Sequence, residues 1–216
     1  MTPLLARSPC PVDDPLRLGV LVSGSGSNLQ AILDVAREPA PRLRVALVVS
    51  HIDGVRALER ARMAGVPHVV EPHEGRAREA FEDAVHARLV QAKVEVVVLA
   101  GFMRVLTAGF LAQWPRLVVN VHPALCPAFP GMHAARQALA HGARVTGCTV
   151  HLVDAGVDTG PILAQAAVPV LDDDDERALQ ARIQQQEHAL LPRVLEAIAK
   201  GDVGVVDGRV RARGLG

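Results

Sequence analysis

The 216-residue chain contains no tyrosine, and its aromatic side chains are four Phe and one Trp. Platforms that stack single-stranded RNA need several such rings, so the scarcity argues against that function. Charge of one sign is also missing: 23 Lys and Arg balance 23 Asp and Glu. Long nucleic acids are held by phosphate neutralisation, which calls for a basic excess that this chain lacks. Cysteine is sparse. Cys10, Cys126 and Cys148 show no metal-ligand spacing, and an odd number cannot all pair within the chain. A reduced, cytoplasmic protein fits this better than a disulfide scaffold. No apolar run is long enough to span a membrane. Residues 1–15 carry Pro3, Pro9, Pro11 and Pro15 but no apolar h-region. They read as a flexible leader, not a signal peptide.

What is present is apolar bulk. Half of the residues are hydrophobic, enough for a sizeable core. Residues 17–23 (RLGVLVS), 44–50 (RVALVVS), 94–100 (VEVVVLA) and 117–122 (LVVNVH) read as strands, rich in Val and Leu with little polar alternation. That pattern belongs to parallel strands covered on both faces. Helices are predicted between them at 28–38, 55–64 and 76–91, with Gly65 and then Pro67 closing the second. After residue 120 the pattern changes. Pro123, Pro127, Pro130 and Gly131 interrupt regular structure. Strand-like runs at 146–153 and 161–170 follow, joined by a tight turn and therefore predicted antiparallel. A long helix over 175–200 and a hairpin around Asp207-Gly208 complete the chain. The expected fold is a doubly wound, Rossmann-like α/β domain over 16–216. Its mixed sheet has a parallel N-terminal half and antiparallel C-terminal strands.

Three constellations can carry chemistry. Ser23-Gly24-Ser25-Gly26-Ser27-Asn28 lies between the first strand and a helix. Glycines allow close backbone approach, and a helix N-terminus offers free N–H groups to a phosphate. It lacks the Lys of a Walker loop, and a plain strand-to-helix turn is the alternative. Asn120-Val121-His122-Pro123 closes a buried strand, and period-two alternation puts Asn120 and His122 on one side. An amide can hold an oxyanion and a histidine can move a proton at neutral pH, although both could be structural. Asp158-Thr159-Gly160-Pro161 sits in the later turn, where an Asp is often only a turn residue. Other candidates are weaker. The acidic run 172–176 suits a helix N-terminus as well as a cation. His122, His133, His151 and His188 have no close zinc spacing. Cys126 sits between Leu125 and Pro127 with no evident activating base.

Taken together, six stretches resemble the glycinamide ribonucleotide formyltransferases, a family of folate-dependent enzymes. They are 22–30 (VSGSGSNLQ), 97–106 (VVLAGFMRVL), 120–133 (NVHPALCPAFPGMH), 136–139, 151–161 (HLVDAGVDTGP) and 182–188 (RIQQQEH). Asn-x-His coupled to a downstream Asp-x-Gly-Pro is specific for folate-dependent formyl transfer. The resemblance covers about 17 to 200. It implies transfer of the formyl group of 10-formyltetrahydrofolate, a co-substrate, to the amine of N1-(5-phosphoribosyl)glycinamide in de novo purine biosynthesis. No metal is implied. Asn120, His122 and Asp158 would be catalytic. Gly26, Ser27 and Asn28 would cradle the phosphate, with Gln184 and Glu187 on the sugar side. Met103, Arg104, Val105 and Leu106 would line the folate pocket, together with Asn120. Arg78 would approach the far end of the folate. Asp154, Ala155, Gly156, Val157 and Asp158 would cover the pterin. Ala128 and Ala124 stand where relatives often have Lys and Ser.

The resemblance further implies a mechanism. Asn120 would donate to the oxyanion of a tetrahedral intermediate. Asp158 would hold the cationic form of His122, which would protonate the departing nitrogen. The partners would be small molecules, not nucleic acid or membrane. Oligomeric state is open, with a homodimer among the options. Methionyl-tRNA formyltransferases carry an additional C-terminal domain and formyltetrahydrofolate hydrolases a preceding regulatory one. About sixteen residues precede the first strand and sixteen follow Lys200, so neither additional domain is expected. Sugar-nucleotide formyltransferases are disfavoured by Phe129-Pro130-Gly131-x-His133 and Gln185-Gln186-Glu187-His188. A non-catalytic nucleotide-binding module would need only the Ser-Gly loop.

Overall fold

A computed structural model describes residues 1–5, 9–207 and 209–215. The chain runs β1 (Thr2–Pro3), β2 (Leu16–Val22), α1 (Ser27–Val35), β3 (Leu43–Ser50), α2 (Arg56–Met63), β4 (His68–Val70), α3 (Arg78–Gln91) and β5 (Val96–Leu99). It continues α4 (Ala108–Gln113), β6 (Val118–His122), α5 (Ala134–Ala140), β7 (Val145–Leu152), β8 (Ile162–Pro169), α6 (Glu176–Lys200), β9 (Val203–Val206) and β10 (Arg209–Ala212). The main sheet has seven strands in the order β4-β3-β2-β5-β6-β7-β8. Pairing is parallel from β4 to β6 and antiparallel from β6 through β7 to β8. The expected mixed sheet is thus present, with its parallel half first.

Alternation along the strands builds two cores. Leu18, Val20 and Val22 face a large cluster with α1, α2, α5 and α6, whereas Leu21 faces a smaller one with Phe81, Val85 and Leu89 of α3 and Phe110 of α4. In β5, Val96 and Val98 take the first face and Val97 and Leu99 the second. Layers on both faces explain why these strands carry almost no polar residue. The chain proceeds outward from β2 through β3 to β4, then returns to β5 on the other side of β2. This reversal is a topological switch point, where open α/β sheets bind ligands at the carboxyl ends of their strands. The loops after β2 and β5 therefore meet there.

The described residues at the start of the chain are tied to the domain and do not form a free leader. β1 pairs antiparallel with β9, the Leu4 N–H donates to the Val203 carbonyl at 3.2 Å, and Cys10 N donates to the Ala199 carbonyl at 2.6 Å. Leu5 and Cys10 are buried, and Arg42 Nη1 donates to the Cys10 carbonyl at 2.7 Å. Prolines counted against structure, but Pro3 sits on an edge strand, where a missing N–H costs no ladder bond. Leu5 and Cys10 join the core beside the end of α6, with Leu4 packed against it. The hairpin expected at Asp207-Gly208 is represented by the antiparallel pair β9 and β10; Gly208 lies outside the described residues. β4, α4 and α5 were not anticipated. They span three to seven residues, too short for a period to register.

Candidate active site

A cavity of about 660 Å³ opens at the switch point, well within the size of small-ligand sites. Its walls come from the loop after β2, the loop after β5, the end of β6, the β7–β8 turn and one face of α6.

Gly26 caps α1 with φ 69°, and a Cβ there would lie 2.6 Å from Ala57 Cβ. Only glycine fits both the left-handed backbone and the close pass over α2. The turn puts the N-terminal end of α1, whose first N–H groups have no partner within the helix, on the cavity wall, as an anion site needs. Asn28 Nδ2 donates to Glu187 Oε2 at 2.9 Å across the fold, and both side chains are buried. Burial pushes the Glu187 carboxyl up, and the Asn28 donor offsets this only in part.

The opposite wall holds the predicted trio. His122 Nδ1 stands 3.2 Å from Asp158 Oδ2, and Asn120 Nδ2 donates to Asp158 Oδ1 at 3.4 Å. His122 Nε2 lies 2.8 Å from the Phe129 carbonyl. A carbonyl only accepts, so Nε2 carries a hydrogen. A proton on Nδ1 as well lets the ring meet the Asp158 carboxylate as an imidazolium. Asp158 has φ 55°, a left-handed conformation that Asp tolerates and functional sites often hold. Burial raises its pKa, but the hydrogen bonds it accepts, the Gly131 N–H at 2.8 Å among them, and the charge of His122 outweigh it, so the carboxyl lies below its ordinary value. Cys126 is buried, and desolvation raises its thiol pKa, which disfavours a nucleophilic thiolate.

The remaining expected residues divide clearly. Ser27, Gln184, Met103, Arg104, Val105, Leu106, Asp154, Gly156 and Val157 line the cavity with those above. Arg104 also stacks its guanidinium 4.9 Å from the Phe81 ring centre. Arg78 and Ala155 are not on the wall. Arg78 lies off the wall, 3.6 Å from Glu82 Oε1 and bonded to the Val105 carbonyl, so it touches the 103–106 loop from outside the cavity. Ala155 is exposed on a turn whose Asp154 Oδ1 accepts from Gly156 N at 3.0 Å and Thr159 Oγ1 at 2.7 Å.

The formyl transferase family model matches residues 16–195, most of the chain. The chain belongs to the formyl transferase family. Within the family it is 47% identical over 205 residues to the phosphoribosylglycinamide formyltransferase of Mycobacterium tuberculosis, covering 94% of both chains. It is 48% identical to part of the Trifunctional purine biosynthetic protein adenosine-3 of Drosophila melanogaster, spanning 86% of itself but 14% of that protein's length. The glycinamide ribonucleotide transformylase 1 structure from Symbiobacterium toebii superposes with a TM-score of 0.87 at 48% identity, over 92% of this chain and 94% of that one.

Several wall residues of this family member carry no substrate-site role of their own in the sequence analysis. His151, Glu176, Gln180 and Ser23 line the cavity. His133 does too, and its Nδ1 lies 3.4 Å from Glu176 Oε1. Glu176, Gln180 and Gln184 recur every four residues on α6, a helical spacing that Gln184 alone could have extended. His151 had been weighed only as a zinc ligand. Its signal is register: it pairs with Asn120 across β6 and β7.

Proposed function

We propose that this chain transfers the formyl group of 10-formyltetrahydrofolate to the amine of N1-(5-phosphoribosyl)glycinamide, giving the N-formyl product and tetrahydrofolate in de novo purine biosynthesis. The observation that carries the reading is one cavity holding both the Asn120, His122 and Asp158 cluster and the Gly26–Asn28 turn backed by Glu187. The phosphate binds at the turn, and the sugar lies toward Gln184 and Glu187. The reduced folate lies along 103–106 and under 154–158.

The amine attacks the formyl carbon, and negative charge develops on the formyl oxygen. Asn120 Nδ2 donates to that oxygen and the His122 imidazolium adds positive charge beside it, a preorganised stabilisation that needs no reorganisation during reaction. The Phe129 carbonyl holds the Nε2 hydrogen of His122, so the transferable proton is the one on Nδ1, shared with Asp158. It passes to the folate nitrogen as the C–N bond breaks, and Asp158 receives the proton lost by the amine. The enzyme acts on small molecules in the cytoplasm, as a monomer or homodimer.

Mixing the protein with both substrates and following folate absorbance tests the reading. Turnover that depends on both supports it. Folate turnover without the ribonucleotide, or with sugar-nucleotide amines only, would replace it.

A further inference from the structure

His151 stands beside the reacting groups without a role in the scheme above. It is buried, with 2% of its surface exposed, and lies opposite Asn120 in the β6–β7 register. The pairing of β7 with β8 shifts between Val150 and His151, a bulge of the kind that re-aims side chains near active sites. His151 Nδ1 lies 2.9 Å from the Leu152 carbonyl. That oxygen can only accept, so Nδ1 carries the hydrogen and Nε2 of the neutral ring is a bare acceptor. The bare nitrogen faces Asn120 Nδ2 at 3.1 Å.

The geometry around Nδ2 then fixes the amide. Asn120 Nδ2, His151 Nε2 and Asp158 Oδ1 form a nearly equilateral triangle with sides of 3.1, 3.4 and 3.6 Å. The corner of such a triangle is about half the angle between the two N–H bonds of a planar amide. Set astride the two acceptors, the amide gives one N–H to each, the shorter bond to His151 at 3.1 Å and the longer to Asp158 at 3.4 Å. We propose that His151 is a positioning residue: as the Nδ1–H tautomer it locks the Asn120 amide with nitrogen inward through one N–H, and leaves the other, on its longer bond to Asp158, to turn to the formyl oxygen. Asp158 alone is a poor lock, because its carboxylate is also engaged by His122 and the Gly131 N–H. This inference rests on the proposed formyl transfer.

His151→Leu removes the acceptor, whereas His151→Gln places a carbonyl oxygen near the position of Nε2. The Leu variant should lose about tenfold or more in kcat, less than a whole oxyanion donor is worth, with KM for both substrates within about threefold. Gln should recover most of that loss. In an Asn120→Ala background, His151→Leu should cost little more. A Leu variant with wild-type kcat overturns the proposal, as do Leu and Gln variants impaired equally at matching melting temperatures. Nitrogen NMR of the wild-type imidazoles gives a readout independent of folding in the variants. A hydrogen on Nδ1 of His151 supports the lock, and a neutral ring protonated on Nε2 overturns it. If the wild type transfers no formyl group, the functional reading fails, while the tautomer still reports on His151.

Discussion

His122 Nδ1 stands 3.2 Å from Asp158 Oδ2, and the same oxygen accepts the Gly131 N–H at 2.8 Å. With the Phe129 carbonyl on Nε2, both nitrogens of His122 are held by acceptors, an arrangement that a doubly protonated ring satisfies best. Asp158→Asn removes the negative partner while keeping size, and Asn tolerates the left-handed backbone at this position. Turnover should fall roughly 10²–10⁴-fold, the usual worth of general acid–base groups. Ribonucleotide binding should persist. Because the folded Asp158 pKa is lowered, its stabilisation is present above the ordinary carboxylate value and is lost as pH falls through the folded value. The variant should thus melt below wild type at neutral pH, and the gap should close in acid. Calorimetry across pH with a parallel pH–rate profile checks both, and unchanged rates would leave Asp158 as a turn residue.

Gly26→Ala should destabilise the protein more than it perturbs folate binding. The added Cβ meets Ala57 at 2.6 Å and sits on a positive-φ backbone, together worth about 1–3 kcal/mol. Ribonucleotide affinity should drop as the turn shifts, and folate affinity should hold. Equal losses for both ligands in a folded variant would contradict the separation of the two subsites.

Deleting residues 1–10 should lower the melting temperature. Leu5 and Cys10 are core residues here, and burying a side chain such as Leu contributes roughly 1.5–3 kcal/mol, or several degrees for a domain of this size. Turnover at low temperature should survive, since none of the described residues among them lines the cavity. An unchanged melt would show that this segment adds nothing to the domain.

The sheet was legible because its strands are buried on both faces and so read as uninterrupted Val and Leu. The trio was legible because Asn120 and His122 share a strand face and their motif couples to Asp158. His151 was hidden because its register opposite Asn120 is set across the β6–β7 pair, through a long connection that carries α5, and not by any local spacing. Residues 1–15 misled because four prolines mask an edge strand and two buried side chains.

Glu187→Gln separates stability from binding at one atom. The Glu187 carboxyl is 4% exposed, and burial raises its pKa against the pull of the Asn28 donor. A carboxyl raised in the folded state stabilises below its unfolded value, and that contribution is lost as pH rises through the folded value. Between mildly acid and mildly alkaline conditions the unliganded wild type should therefore lose stability through this group. Gln keeps the oxygen that accepts from Asn28 Nδ2 at 2.9 Å in the wild type and carries no charge to desolvate. Its melting temperature should match wild type near pH 4.5 and exceed it near pH 8. Binding should move the other way: the charged acceptor offered to the ribose hydroxyls is gone, and hydrogen bonds to charged groups are worth about 1.5–3 kcal/mol. Ribonucleotide affinity should fall roughly tenfold to a hundredfold, with folate affinity unchanged. Differential scanning at two pH values and titration calorimetry with each ligand measure the two effects separately. A variant that melts below wild type at pH 8 would mean that Glu187 is held charged by contacts stronger than the single Asn28 bond.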